Sequence, residues 1–266
     1  MTRWKHYARK AAAIPVVGPI LYRLHEWRQS RKLPPSPQAD EHGVPIPSAY
    51  LIHLIGGQTD WRSFLSRGET SIERFKSLVD ANGGDFRNAR RILDFGCGCG
   101  RLARHLPQLT RADIYGVDLN PRLIRWSQEN LKGHFAQNRL APPLDFPDEH
   151  FDIIYLLSVF THLHLETQNA WLEEFARLTI PGGFTLATFH DEDHPGLESA
   201  GLHRDALLDA GFLVGVSEME GSNLAATFQS CDFARQQFAT YFDVCAITPS
   251  TDGPIGQAVA VLRRRP

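Results

Sequence analysis

Residues 94–100 read Asp-Phe-Gly-Cys-Gly-Cys-Gly, three glycines in five positions directly behind the short apolar run Arg-Ile-Leu-Asp-Phe. Glycine weakens regular structure and is kept where the backbone turns left-handed or another group must approach it closely. Here it separates a buried strand pattern from a helix pattern over 101–106. A strand, a tight turn and a helix repeated in series build a parallel sheet, with ligands beyond the carboxyl ends of its strands.

The repetition is present downstream. Asp-Ile-Tyr-Gly-Val-Asp-Leu (113–119) reads as a second strand, and Asn120–Pro121 supply a helix N-cap and a first-turn proline. Residues 134–138 give a weak third strand. The run 151–159 gives a strong fourth, apolar on both faces as a central parallel strand requires. An amphipathic helix over 165–180 is expected to stop at Pro181-Gly182-Gly183, before a fifth strand over 184–190. Two closing strands, 242–249 and 257–264, follow a less regular stretch over 191–229. Upstream, 49–57 and 59–68 read as short helices ending in glycine. Residues 70–84 read as a third, with Thr70 and Glu73 spaced as a capping box.

Composition limits the setting. Hydrophobic residues make up 42% and charged residues 22% of the 266, ordinary for a soluble globular protein. Cys97, Cys99, Cys231 and Cys245 lack the spacing of a disulfide framework, so a reducing cytoplasm is expected. The formal charge of −2 conceals an asymmetry. Residues 1–33 carry eight Lys or Arg against one acid, Glu26, so the rest of the chain is distinctly acidic, which argues against a nucleic-acid partner. The apolar run after the basic start is broken by Pro15, Gly18 and Pro19 and is too short to span a bilayer. Trp4, Tyr7 and Trp27 among basic residues suit peripheral contact with the inner membrane surface, but an arm that packs on the protein or stays mobile is the simpler reading. Five prolines over 33–48 mark a linker.

Three nucleotide-binding patterns compete for the glycine turn. A nicotinamide or flavin site wants Gly-x-Gly-x-x-Gly, but the sixth position from Gly96 is Arg101. A P-loop is excluded because no Gly-Lys-Ser/Thr follows. The remaining pattern, acid-x-Gly-x-Gly-x-Gly with Asp118 twenty residues past Gly98, resembles the first motif of class I S-adenosylmethionine-dependent methyltransferases. The resemblance extends over residues 50–265, through Phe151-Asp152 at the fourth strand and the Pro-Gly-Gly before the fifth. Gly-Cys-Gly-Cys-Gly-Arg and Ser-Val-Phe-Thr-His-Leu (158–163) further resemble bacterial small-molecule enzymes of natural-product or surface-glycan pathways.

The family likeness implies a doubly wound, Rossmann-like α/β fold: a mostly parallel seven-stranded sheet with an antiparallel terminal strand and a helical N-terminal lid. It divides the chain into an arm and linker (1–48) and a catalytic domain (49–266), with the lid over 49–90 and a substrate-side insertion over 191–235. It implies S-adenosylmethionine as cofactor. Asp94 would meet its amino-acid end, and Gly96, Gly98 and Gly100 would form the turn against it. Asp118 would bind the ribose, Leu119 and Asn138 would meet the adenine, and Ser158 would face the sulfonium through its backbone. Trp61 and Phe64 would belong to the lid that closes over the cofactor, with Trp61 among the cofactor-binding residues.

Methyl transfer is an in-line displacement, so a hydroxyl acceptor gains from a base with a near-neutral pKa. His162 and His190 follow the fourth and fifth strands and are the candidate catalytic residues, with His190 the expected base, while a ring that fastens the turn is the simpler reading of His162. His190-Asp-Glu-Asp-His194 has metal-ligating residue types, but a charged loop tip is the simpler reading, and no metal is expected. The expected reaction is O-methylation of a small molecule. The alternative is a non-catalytic cofactor-binding or membrane-recruited accessory protein. Neither the acceptor nor the oligomeric state is encoded in any motif.

Overall fold

A computed structural model describes residues 37–56, 60–216, 220–222 and 225–266. The basic arm, with its candidate membrane contact, lies outside the described residues. None of the described helices is long and apolar enough to cross a membrane.

Two compact units divide the chain, Met1–Leu65 and Ser66–Pro266. Helix α1 (Ala49–Gly56) lies in the first, as does the start of α2 (Trp61–Ala81). Asp60 caps α2, its Oδ2 accepting from the Ser63 amide at 3.2 Å. Trp61 opens the helix with the Arg62 guanidinium 4.4 Å above its ring. The glycine at position 68 does not end this helix, and Thr70 does not begin another. Within the second unit, a Cβ on Gly68 would overlap the Arg101 carbonyl, so the glycine serves close approach of backbone to backbone.

The second unit contains the sheet strands β1 (Arg91–Phe95), β2 (Asp113–Asp118), β3 (His134–Gln137), β4 (Phe151–Leu156) and β5 (Thr179–Phe189). A separate two-stranded ribbon follows, β6 (Phe212–Val216) and β7 (Ala226–Gln229), and then β8 (Asp243–Thr248) and β9 (Ala258–Arg263). The seven-stranded sheet runs β3-β2-β1-β4-β5-β9-β8. Strands β1 to β5 are parallel, and β9 lies antiparallel between β5 and β8. The order reverses between β1 and β4, which opens a crevice beyond Phe95 and Leu156.

Alternation along the strands sorts the core into two layers. Ile92, Ile153 and Leu186 face α2 through Ile72, Phe75 and Val79, with α4 (Pro121–Asn130) on the same side through Ile124. Leu93, Phe95, Ile154 and Leu156 face α5 (Leu165–Leu178) through Trp171 and Phe175, with α8 (Cys231–Phe238) beside it. Between β1 and β2 the crossover is only a 3₁₀ turn (Ala103–His105) and the short α3 (Leu106–Leu109). Helices α6 (Gly196–Ser199) and α7 (Arg204–Ala210) precede the ribbon. Pro181-Gly182-Gly183 does not stop α5, which ends at Leu178. It forms an irregularity inside β5, whose pairing with β4 skips from Thr179 to Phe184.

Candidate active site

The glycine turn sits at the reversal in strand order. Gly96, Gly98 and Gly100 all have positive φ (76°, 57° and 69°), a conformation that costs an L-residue roughly 1–2 kcal/mol. The space a Cβ would need at Gly96 is filled by the Val159 side chain, so the turn after β4 abuts the turn after β1. Asp118, closing β2, cinches the loop. Its Oδ2 accepts from the Gly98 amide at 2.9 Å and its Oδ1 from the Asn120 amide at 2.7 Å. Two lone-pair directions on the carboxylate remain for hydroxyl donors. Asn120 caps α4 through the Arg122 amide, and Ser127 Oγ donates to the Gly98 carbonyl.

Asp94 and Tyr155 are register partners on β1 and β4 and share one face of the sheet. Burial raises the Asp94 carboxyl to about 7, against the pull of the Tyr155 hydroxyl and the Arg101 guanidinium. The Tyr155 hydroxyl faces the acid without closing a hydrogen bond of ordinary geometry, and Asp94 Oδ2 is buried with no partner. Arg101 is half-buried, and its Nε is buried and unbonded. An acid and a guanidinium therefore lie within electrostatic reach of each other without pairing. Cys97 and Cys99 are buried thiols whose pKa burial pushes up, which makes them inert fillers of the turn.

Asn138 donates its amide to the Asp118 carbonyl, while its side-chain Oδ1 is buried and unpaired. Leu119 lies nearby in half-buried surroundings, close to Gly221 from the loop between β6 and β7. That loop is tied back by the Gly221 amide to the His162 carbonyl at 2.9 Å, and by Glu220 to the His164 amide at 2.7 Å.

Ser158 follows β4 with φ 61°, a left-handed residue that is not glycine. Its amide donates to Thr188 Oγ1 at 2.7 Å, and its Oγ accepts from Gln257 Nε2 at 2.8 Å. His162 Nδ1 lies 2.7 Å from the Ala225 carbonyl, an acceptor only, so Nδ1 carries the proton and Nε2 keeps the lone pair. Burial lowers the His162 pKa. His190 stacks on His194 at 3.9 Å and packs on Phe228 at 5.1 Å. Burial, aided by the neighbouring His194 and His162, pushes His190 down to about 3, and its Nδ1 is buried without a partner. The acids between His190 and His194 have structural duties. Asp191 accepts from the Ser250 amide and hydroxyl, Glu192 from the Cys231 amide, and Asp193 pairs with Arg204. A cavity of about 330 Å³ lies elsewhere, lined by Leu165, Asn169, Phe233, Gln237, Thr240 and Tyr241, none from the strand ends just described.

Residues 92–183 match the family described as methyltransferase domain. Residues 92–183 thus carry a methyltransferase domain on a Rossmann-like α/β fold. It is similar to an uncharacterised protein of Haemophilus influenzae, 31% identical over 140 residues, 48% of this chain and 55% of the relative. Similarity to phosphoethanolamine N-methyltransferase 3 of Arabidopsis thaliana is 30% over 129 residues, 47% of this chain and 25% of the relative. The chain thus spans from about a quarter to about half of the length of these curated relatives. The fold is shared with magnesium protoporphyrin IX methyltransferase of Synechocystis, solved with bound SAM, at TM-score 0.53 and 15% identity, over 80% of this chain and 89% of that one.

In the methyltransferase domain, Asp94, the three glycines, Asp118, Leu119, Asn138 and Ser158 all lie at the carboxyl ends of β1 to β4. His162 and His190 stand at the ends of β4 and β5. Trp61 belongs to the first compact unit. Sequence reasoning passed over Arg101, treated only as a mismatch to another motif, and Tyr155, treated only as an apolar strand position. For Gln257 no local signal exists.

Proposed function

We propose that the chain transfers a methyl group from S-adenosylmethionine to the hydroxyl of a small molecule. The observation that supports this best is the unpaired, buried Asp94 Oδ2 beside a left-handed glycine turn cinched by Asp118. The residues present fit the cofactor. Asp94 would take the ammonium and Arg101 the carboxylate of the methionine end, Asp118 the ribose hydroxyls, and Asn138 Oδ1 the adenine amino group. Leu119 would flank the ring. The sulfonium supplies an electrophilic methyl carbon.

This chain's residues would then position the acceptor and take its proton. His162 would be the base, with Nδ1 bonded to the Ala225 carbonyl and Nε2 left to accept. His190, held neutral, would line the same space and hydrogen-bond the acceptor through Nδ1. Relatives named for N-, O- and C-methylation all resemble this domain, so kinship does not select the atom. The neutral histidines favour oxygen, because a hydroxyl attacks well only as a base takes its proton, whereas a neutral amine attacks without one.

Titration calorimetry with S-adenosylmethionine tests the cofactor. Incubation of the protein with methyl-labelled cofactor and a low-molecular-weight metabolite extract tests the reaction, with the label expected on oxygen in a small product. Tight NADH binding with none for S-adenosylmethionine would sink the assignment, and label found only in protein or RNA would sink the small-molecule acceptor.

A further inference from the structure

Ser158 keeps a left-handed backbone at a cost that glycine would avoid, so its surroundings must hold it there. Two bonds from outside its own strand do so. Thr188 on β5 takes the Ser158 amide, and Gln257, just before β9, donates Nε2 to Ser158 Oγ at 2.8 Å. The pair Phe189↔Ala258 is the last in the β5–β9 register, so Gln257 and His190 both stand one residue beyond it at the carboxyl edge. Gln257 Oε1 is buried and bonded to nothing in the described chain. Val159, next in sequence, fills the space beside Gly96, so any displacement of the Ser158 turn is passed to the glycine turn.

We propose that Gln257 is a positioning residue for methyl transfer, acting through Ser158 by locking the left-handed turn that borders the transferred methyl group. This rests on the cofactor reading above, in which Ser158 faces the sulfonium. The hydrogen bond crosses ninety-nine residues of sequence and joins the ends of β4 and β9 over the end of β5. Gln257 needs no contact with the cofactor for this role.

The test uses the full chain and S-adenosylmethionine carrying ¹³C in the transferred methyl, followed by NMR in the bound state. Gln257→Leu should leave cofactor affinity within about twofold, a bound not far above the scatter of independent sites, while displacing the bound methyl resonance beyond its linewidth. Ser158→Ala deletes the same hydrogen bond from its other end and should give the same displacement. The double variant should add nothing further. If Gln257→Leu does not fold by its melting curve, Gln257→Met, unbranched and of similar length, is read instead. An unmoved resonance with intact binding overturns the inference alone, as do displacements that add in the double variant. A wild-type protein with no bound resonance overturns the cofactor reading and this inference with it.

Discussion

The glycine turn and the acceptor edge lie on the same side of one sheet, yet they are held in different ways. The turn is fixed by bonds that span short stretches of chain: Gly98 to Asp118 across twenty residues, Asn120 to Asp118 across two, Ser127 to Gly98 across twenty-nine. The acceptor edge has one bond of that span, Ser158 to Thr188 across thirty, and adds bonds that reach far more, from His162 to Ala225 across sixty-three and from Ser158 to Gln257 across ninety-nine. Their charges differ too. The turn gathers Asp94, Asp118 and Arg101, whereas the acceptor edge presents histidines that burial keeps neutral. On the reading proposed above, the first region would meet the charged methionine end of the cofactor and the second would surround the acceptor.

The sharpest way to break that contrast is at His162. His162→Ala is expected to lower turnover on the labelled acceptor by roughly 10²–10⁴-fold, the range for a lost general base, with cofactor affinity unchanged. His162→Asn can still donate to the Ala225 carbonyl but has no basic nitrogen. If steady-state rates recover in that variant, the ring fastens the ribbon and does nothing chemical.

On the cofactor side the expected effect is smaller. Asp118→Ala should weaken S-adenosylmethionine binding by about 1.5–3 kcal/mol, because a charged acceptor is lost and the Gly98 amide is left unpaired. Calorimetry showing full affinity would remove Asp118 from the ribose site. If Asp94 takes the cofactor ammonium, it sets a pH dependence whose sign is fixed. The free protein holds the Asp94 proton up to about pH 7, and a cofactor ammonium favours the ionised form. Affinity should therefore rise with pH, by at most roughly tenfold per unit, and level off above 7. Below 7, binding should release a proton, seen as a binding enthalpy that changes with the buffer's heat of ionisation. Asp94→Asn should abolish that dependence.

The smallest effect is expected at the surface. Arg204→Ala breaks an exposed pair with Asp193 and should leave both the urea midpoint and turnover where they were. A loss of activity there would mean that the charged loop takes part in acceptor binding, and the acceptor edge would no longer count as uncharged.

These two regions also explain what the sequence disclosed. The strand–turn–helix rhythm, the Asp118 spacing and the Asn120 cap rest on contacts between near neighbours, so residue spacing exposes them. The helix through Gly68 was misread because glycine marks both a helix end and a close approach, and only the Arg101 backbone decides between them. The Pro-Gly-Gly irregularity in β5 has the same origin, since turn residues in a sheet signal a bulge as readily as a stop. Arg101 and Tyr155 gain meaning only once β1 and β4 lie side by side. Gln257 gains it only when β9 has entered the sheet from the far end of the chain.

The three acids between His190 and His194 have a consequence for engineering. Asp191 is bolted to Ser250, Glu192 to the start of α8, and Asp193 to the start of α7. The segment that follows β5 is therefore not a removable cassette. A chimera that exchanged only residues 191–229 with another methyltransferase would strand Ser250 and the Cys231 amide without their acceptors. Transplanting acceptor preference onto this scaffold requires moving the Ser250 turn and the head of α8 in the same graft.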